Sequence, residues 1–131
     1  MTASQKPDAN KPGRVLTVLA AIMGSGGVAA AAYAAHGSAE RMASAVALIL
    51  LAHAPAILAI ALFGGRNRIL MLGGFLIAGG ALLFSADLGL RMFSGMRLFS
   101  DAAPAAGMAM MAGWLVTGIS AFTGWRRHQD H

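Results

Sequence analysis

The sequence predicts an all-α integral membrane protein whose four transmembrane helices form an up-down-up-down bundle. Hydrophobic residues make up 57% of the 131 residues and charged residues only 11%, whereas a soluble domain usually carries about a quarter charged residues. The apolar residues fall into four runs with almost no charge. Each run can cross ~30 Å of hydrocarbon as a helix that rises about 1.5 Å per residue.

The N-terminal part of the chain divides into a polar tail and a first span. Residues 1–13 contain little that could be buried, so we expect a disordered tail. Residues 15–35 are uncharged and rich in Gly and Ala, and small residues let helices approach closely in lipid, which predicts a central position for this helix. A secretory signal cleaved near residues 30–35 is an alternative, which the length of the run and the further spans that follow disfavour.

The second and third spans follow in quick succession. Residues 42–63 form the second run and include His53 and Pro55. The Pro55 ring should kink the helix and leave the carbonyl of Leu51 without its usual partner. Residues 64–68 form a short turn, so the second and third helices should be antiparallel neighbours.

The third span covers residues 69–90 and the fourth covers residues 102–125. Between them, residues 90–101 mix arginines with large apolar side chains, which is typical of a loop or short helix at the membrane interface. Trp125, followed by two arginines, is the pattern of an interfacial anchor. The expected transmembrane domain is therefore residues 14–127, and residues 128–131 form a C-terminal tail.

Basic residues predict the orientation, because cytoplasmic loops carry an excess of Lys and Arg. With four spans, both termini and the 64–68 turn share one side of the membrane. That side holds seven of the ten basic residues: Lys6, Lys11, Arg14, Arg66, Arg68, Arg126 and Arg127. We therefore expect both termini in the cytoplasm.

Four polar residues are candidates for a functional role: His36, His53, Asp87 and Arg91. His53 should lie near the middle of the bilayer, where polar residues are costly and often functional. A hydrogen bond to a backbone carbonyl or a neighbouring hydroxyl is the simpler interpretation and the favoured one.

Asp87 and Arg91 are spaced to form an ion pair near the outer end of the third helix. His36, at the outer end of the first helix, should have a similar depth. The three residues could bind an ion or an anionic headgroup, but solvated caps or a surface ion pair are the favoured interpretation.

Several site classes are excluded or disfavoured. The chain has no Cys, which excludes disulfides, thiol catalysis and Cys-ligated metals. No metalloprotease or nucleophile motif is present, and His36 and His53 should differ too much in depth to share a haem. We expect no catalytic residue, no metal and no cofactor. Nucleic acid is not an expected partner, because the basic residues are spread between the spans.

The residues also resemble a known family. The resemblance rests on Ala34-Ala35-His36-Gly37, Ala52-His53-Ala54, the run from Leu83 to Leu88 with Arg91, the run from Ala102 to Gly107, and Ala112-Gly113-Trp114-Leu115. Over about residues 14–125 the chain is similar to the domain of unknown function 423 family, small four-helix inner-membrane proteins of bacteria with relatives in eukaryotes. Ala86, where members often have Gly, and Ala105-Ala106, where Thr-Gly is common, depart from the pattern. The resemblance implies topology and membrane location but supplies no mechanism.

Taken together, the sequence favours a non-enzymatic membrane protein that acts by contact with the lipid bilayer, with a second copy of itself or with another membrane protein. A small transporter or channel-like component is the alternative, with His53 and the Asp87/Arg91 pair on a polar path. A membrane enzyme or redox subunit is a third and weaker interpretation.

Overall fold

The computed structural model describes residues 11–125, which form four helices joined by short connections. These are α1 (Lys11–His36), α2 (Glu40–Phe63), α3 (Arg68–Ser94) and α4 (Ala102–Trp125). Each is long and apolar enough to cross a membrane, so the predicted fold class is confirmed. Residues 11–13 of the expected N-terminal tail (1–13) are helical, while residues 1–10, the expected C-terminal tail at residues 128–131, and the basic half of the anchor at Arg126 and Arg127 lie outside the described residues.

Two helix boundaries differ from the expected ones by a full turn, and others differ by one or two residues. α1 already begins at Lys11, and α3 continues one turn beyond residue 90 to Ser94. Continuing a helix satisfies backbone groups that lipid cannot hydrate. α3 ends at Gly95, whose φ of 70° is the left-handed conformation that Gly adopts without steric cost. The N–H of Gly95 donates to the Arg91 carbonyl at 3.0 Å, which caps the helix.

The helices associate as two antiparallel hairpins, α1 with α2 and α3 with α4, joined along α2 and α3. The α1 backbone approaches α3 at a few points, and within residues 11–125 the α4 backbone approaches only α3. The expectation that α1 is central was wrong: it is an edge helix, with Ala21, Ser25 and Ala32 exposed. Small side chains permit close packing but do not require it, because lipid also solvates alanine.

The core lies where α1, α2 and α3 meet. Its fully buried large apolar side chains are Leu16, Met23, Ile57 and Ile77. Helix α2 continues through Pro55 to Phe63 without interruption.

A glycine seam, defined here by Gly73, Gly80 and Gly113, joins α3 to α4. A Cβ atom on Gly80 would lie 2.7 Å from the Ala106 carbonyl oxygen, and one on Gly113 would lie 2.8 Å from the Ile77 backbone nitrogen. Contacts this short to backbone atoms leave no room for a methyl group. The two helices therefore pack backbone against backbone, as small residues permit in membranes.

Asn67 fixes the turn between α2 and α3. Its side-chain oxygen accepts hydrogen bonds from the N–H groups of Ile69 and Leu70 at 3.1 and 3.2 Å, which is an N-cap. Its amide nitrogen donates to the Ser120 carbonyl at 3.5 Å. The same side chain thus starts α3 and ties the turn to α4.

Large apolar side chains remain exposed on the outward sides of all four helices. Examples from α1 to α4 are Ile22, Leu48, Leu72 and Leu115, each more than half exposed. A soluble protein seldom leaves a continuous apolar surface of this kind. This surface is the one that the hydrocarbon of a bilayer would cover.

Candidate functional site

Asp87 is the most deeply buried polar side chain among the described residues, with an exposed fraction of 0%. It lies in the last third of α3, two turns before the helix ends at Ser94. Its Oδ2 atom lies 2.5 Å from Nη2 of Arg91, whose side chain is 24% exposed. The predicted ion pair is therefore confirmed. The expectation that it would be a solvated surface pair was wrong for Asp87.

The second carboxylate oxygen of Asp87 explains this burial. Oδ1 accepts a hydrogen bond from the backbone N–H of Leu98 at 3.0 Å, across 11 residues of sequence. After Gly95 the chain therefore turns back along α3 until Leu98 stands beside Asp87. The loop covers the carboxylate, and the carboxylate satisfies a backbone N–H of the loop.

The ion pair is a close charge contact rather than an aligned hydrogen bond. Asp87 Oδ2 and Arg91 Nε are both buried and have no hydrogen-bond partner, and the same holds for Ser85 Oγ. These three are the buried side-chain atoms without a hydrogen bond within residues 11–125. All three lie on two consecutive turns of α3. The buried polar atoms that lack a hydrogen bond in the described structure are therefore concentrated at this end of the molecule.

An aromatic contact brings the end of α1 to the same region. The rings of Tyr33 and Phe93 meet edge to face, with their centroids 5.8 Å apart. His36 stands exposed one turn beyond Tyr33. Within the described range, no hydrogen bond or ion pair joins His36 to Asp87 or Arg91. The three residues share one end of the molecule, but only Asp87 and Arg91 touch.

His53 occupies a separate place, about 20 Å along α2 from the start of that helix. It is half-buried. Its Nδ1 lies 2.7 Å from the Ile49 carbonyl oxygen, one turn back in the same helix. A carbonyl only accepts, so Nδ1 carries the proton in this bond. The sequence pointed to the carbonyl of Leu51 as the available acceptor, but the side chain bonds to Ile49 instead, because χ1 directs a helical side chain toward its own preceding turn.

The His53 ring also faces Trp114 on α4, with ring centroids 6.1 Å apart and planes inclined by 56°. The α2 and α4 backbones do not approach each other within residues 11–125. The two rings therefore bridge a gap between helices that both pack on α3. Trp114 is 46% exposed, so the bridge lies at the surface of the transmembrane region.

Sequence reasoning missed the partners in these contacts. No local spacing pairs Leu98 with Asp87, Tyr33 with Phe93, or Trp114 with His53, because the members of each pair do not follow one another along a single helix. The structure forms two separate polar places, one at Asp87/Arg91 and one at His53. Within residues 11–125, no group of three or more His, Asp or Glu side chains is placed to hold a metal ion.

Comparison with known protein families gives a match that covers the middle of the chain. The model of the family described as "Protein of unknown function (DUF423)" matches residues 30–107. This range is more than half of the chain and includes His36, His53, Asp87 and Arg91. No curated protein and no solved structure gives a significant match.

Proposed function

We propose that this chain, which belongs to the DUF423 family of proteins of unknown function, is a non-enzymatic multi-pass component of the bacterial inner membrane. It acts through contacts of its helices with lipid and with a second membrane protein or a second copy of itself. One observation carries the proposal: the charged pair Asp87/Arg91 and the His53 imidazole, the candidate groups within the transmembrane helices, are engaged within the chain. Asp87 holds Leu98 and Arg91, and His53 bonds to Ile49.

The edge helices supply the surface for such contacts. α1 and α4 each pack on one side, and their other sides remain exposed. On α1 this free side includes small residues, Ala21 and Ser25 among them, and small residues allow a neighbouring helix to come close. A partner helix would find room there without any rearrangement of the core.

Cross-linking in the native membrane tests this proposal. Because the chain has no Cys, Ser25→Cys introduces a single thiol on the exposed side of α1. We expect a photoactivatable maleimide at this position to give one discrete adduct, with a second copy or with one other membrane protein. Ala47→Cys, at a buried position of α2, is the matched control and should give none. If Ser25→Cys, and likewise Gly118→Cys on α4, cross-linked only to lipid, this result would contradict the proposed protein partner.

A transporter or channel-like component is the second candidate, and the position of His53 favours it. His53 is half-buried in the gap between α2 and α4, and polar groups at this depth often mark pathways. A polar path would need His53 to face water, whereas the proposed role needs only its bond to Ile49.

Flux measurements in liposomes separate the two candidates. We expect no proton or ion flux above that of protein-free liposomes, and no change on His53→Ala. A flux that His53→Ala abolishes while His53→Gln and the thermal stability of the variants remain normal would establish the transporter.

A further inference from the structure

We infer that the loop between α3 and α4, residues 95–101, is inserted among the phospholipids of the leaflet at this end of the molecule, and that Asp87 is the positioning residue that holds it there. The occupant of the loop's exposed apolar side is phospholipid, not a protein partner. The inference does not depend on the proposed function, because it would hold for a transporter equally.

The depth of the loop is the first argument. Asp87 stands 19 residues after the first residue of α3, or about 28 Å along the helix, close to the ~30 Å thickness of the hydrocarbon. The Leu98 N–H is 3.0 Å from the Asp87 carboxylate, so Leu98 has the same depth. The end of α3 at Ser94 projects about 10 Å farther outward. The connection between the helices thus returns to the edge of the hydrocarbon instead of remaining in water.

The side chains of the loop are the second argument. Phe93, at the end of α3, and Met96, Leu98 and Phe99 in the loop are large, apolar and 46–75% exposed. The rest of residues 11–125 leaves about half or more of each of these side chains uncovered. Arg97 lies among them and is exposed as well. Aromatic and aliphatic side chains around a basic residue suit the region where acyl chains meet phosphate groups.

The role of Asp87 follows from the irregular backbone of the loop. Non-helical backbone near the hydrocarbon must find hydrogen-bond partners within the protein, since lipid offers none. The Oδ1 atom of Asp87 provides one for Leu98, and Arg91 balances the charge. This accounts for a fully buried carboxylate at the point where the loop returns.

The depth of Phe99 is the measurement that tests the inference. Phe99→Cys in the full chain, labelled with an environment-sensitive fluorophore, is reconstituted in vesicles of phosphatidylcholine and phosphatidylglycerol. Ser38→Cys, in the connection between α1 and α2 at the same end, is the matched control. We expect nitroxide-labelled acyl chains to quench position 99 roughly threefold more than position 38, and aqueous iodide to show the reverse order.

Two further variants test the role of Asp87 from both sides of its hydrogen bond. In the Phe99→Cys background, Asp87→Ala removes the acceptor and Leu98→Pro removes the donor. Both should raise iodide quenching at position 99 to that of position 38, while Asp87→Asn, which keeps an acceptor oxygen, should not. Leu98→Pro keeps the test decisive if Asp87→Ala does not fold. Circular dichroism checks the helices in each case.

Three outcomes would overturn the inference. Equal quenching at positions 99 and 38 would show that the loop lies in water. Protection of position 99 from both quenchers that disappears on dilution into excess lipid would show that a second copy covers the loop. Unchanged quenching at position 99 in a folded Leu98→Pro chain would show that the hydrogen bond from Leu98 to Asp87 does not position the loop.

Discussion

Asp87 shows how one fully buried side chain can serve two structural purposes. Its two oxygens point to different partners, a backbone N–H in the loop and a guanidinium on its own helix. In water either contact would be weak, because solvent competes for both groups. Because Asp87 is fully buried, this competition is absent. The carboxylate therefore determines the path of the chain that follows it.

Replacement of Asp87 by Leu should lower the free energy of unfolding by about 2–4 kcal/mol, because it leaves a largely buried guanidinium and a backbone N–H without partners. Reversible unfolding in mixed detergent micelles measures the loss. The double variant Asp87→Leu/Arg91→Leu should recover about half of it, since no uncompensated charge remains. Equal stability of the Asp87→Leu variant and the wild type would show that the Asp87 carboxylate does not stabilise the fold.

The contact between His53 and Trp114 can be observed by fluorescence. With Trp125→Phe, Trp114 is the one remaining tryptophan. We expect His53→Ala to increase its emission intensity, because the imidazole lies 6.1 Å from the indole and is a contact quencher. His36→Ala, at the exposed end of α1, is the control and should leave the emission unchanged. An unaltered emission in the His53→Ala variant would place α4 elsewhere.

At this scale the sequence predicts local pairs but not distant ones. The spacing of Asp87 and Arg91 is enough to predict their ion pair, because a helix places such residues on one side. The burial of Asp87 could not be predicted, since it depends on Leu98 returning across a loop whose path no local pattern specifies. The same limit applies to Trp114, whose partner is 61 residues away.

Among the helices, α3 and α4 meet with their backbones close together at the seam. At Gly80 and at Gly113, two of the three atoms nearest to an added Cβ belong to the opposite backbone, which cannot move aside as a flexible side chain can. The interface has no strong hydrophobic driving force in lipid, so its stability depends on this close approach. The hairpin should consequently be sensitive to single methyl groups.

Adjacent glycines provide a matched test of the seam. Gly80→Ala should destabilise the protein by about 1–3 kcal/mol, because its Cβ would meet the Ala106 carbonyl. A Cβ on Gly79 would have nothing within 4 Å, so Gly79→Ala should be neutral or add up to about 1 kcal/mol through helix propensity. Unfolding of both variants in the same detergent gives the comparison. Equal effects would show that the seam is not the contact described.

The order of helices along the chain could be predicted because each span is a long uncharged run. The partners of each span could not all be predicted. The short turn at residues 64–67 requires α2 and α3 to be neighbours, and they are. For α1, composition gave the wrong answer, because its alanines and glycines fit lipid as well as a neighbouring helix.

Charge divides the whole molecule into two unlike ends. At one end of the described structure, Lys11, Arg14, Arg66 and Arg68 have no acidic residue among them. At the other end, three acidic residues, Glu40, Asp87 and Asp101, offset Arg41, Arg91 and Arg97. The basic end is the one that the positive-inside rule assigns to the cytoplasm.

Cysteine labelling in intact cells tests this orientation. A membrane-impermeant maleimide should modify Ser38→Cys in whole cells but should modify Arg66→Cys only after the membrane is permeabilised, because the two positions lie at opposite ends. The wild-type chain, which has no Cys, gives the background. Labelling of Arg66→Cys in intact cells would reverse the proposed orientation.

The difference between Gly79 and Gly80 also has a consequence for descent. These two neighbouring glycines have opposite surroundings: an added Cβ on Gly80 would meet a backbone, whereas one on Gly79 would lie in open space. Among the relatives of this chain, larger aliphatic residues should therefore replace Gly79 often, while Gly80 should be retained as glycine. Unequal substitution rates at two adjacent glycines would then reflect selection to preserve the seam.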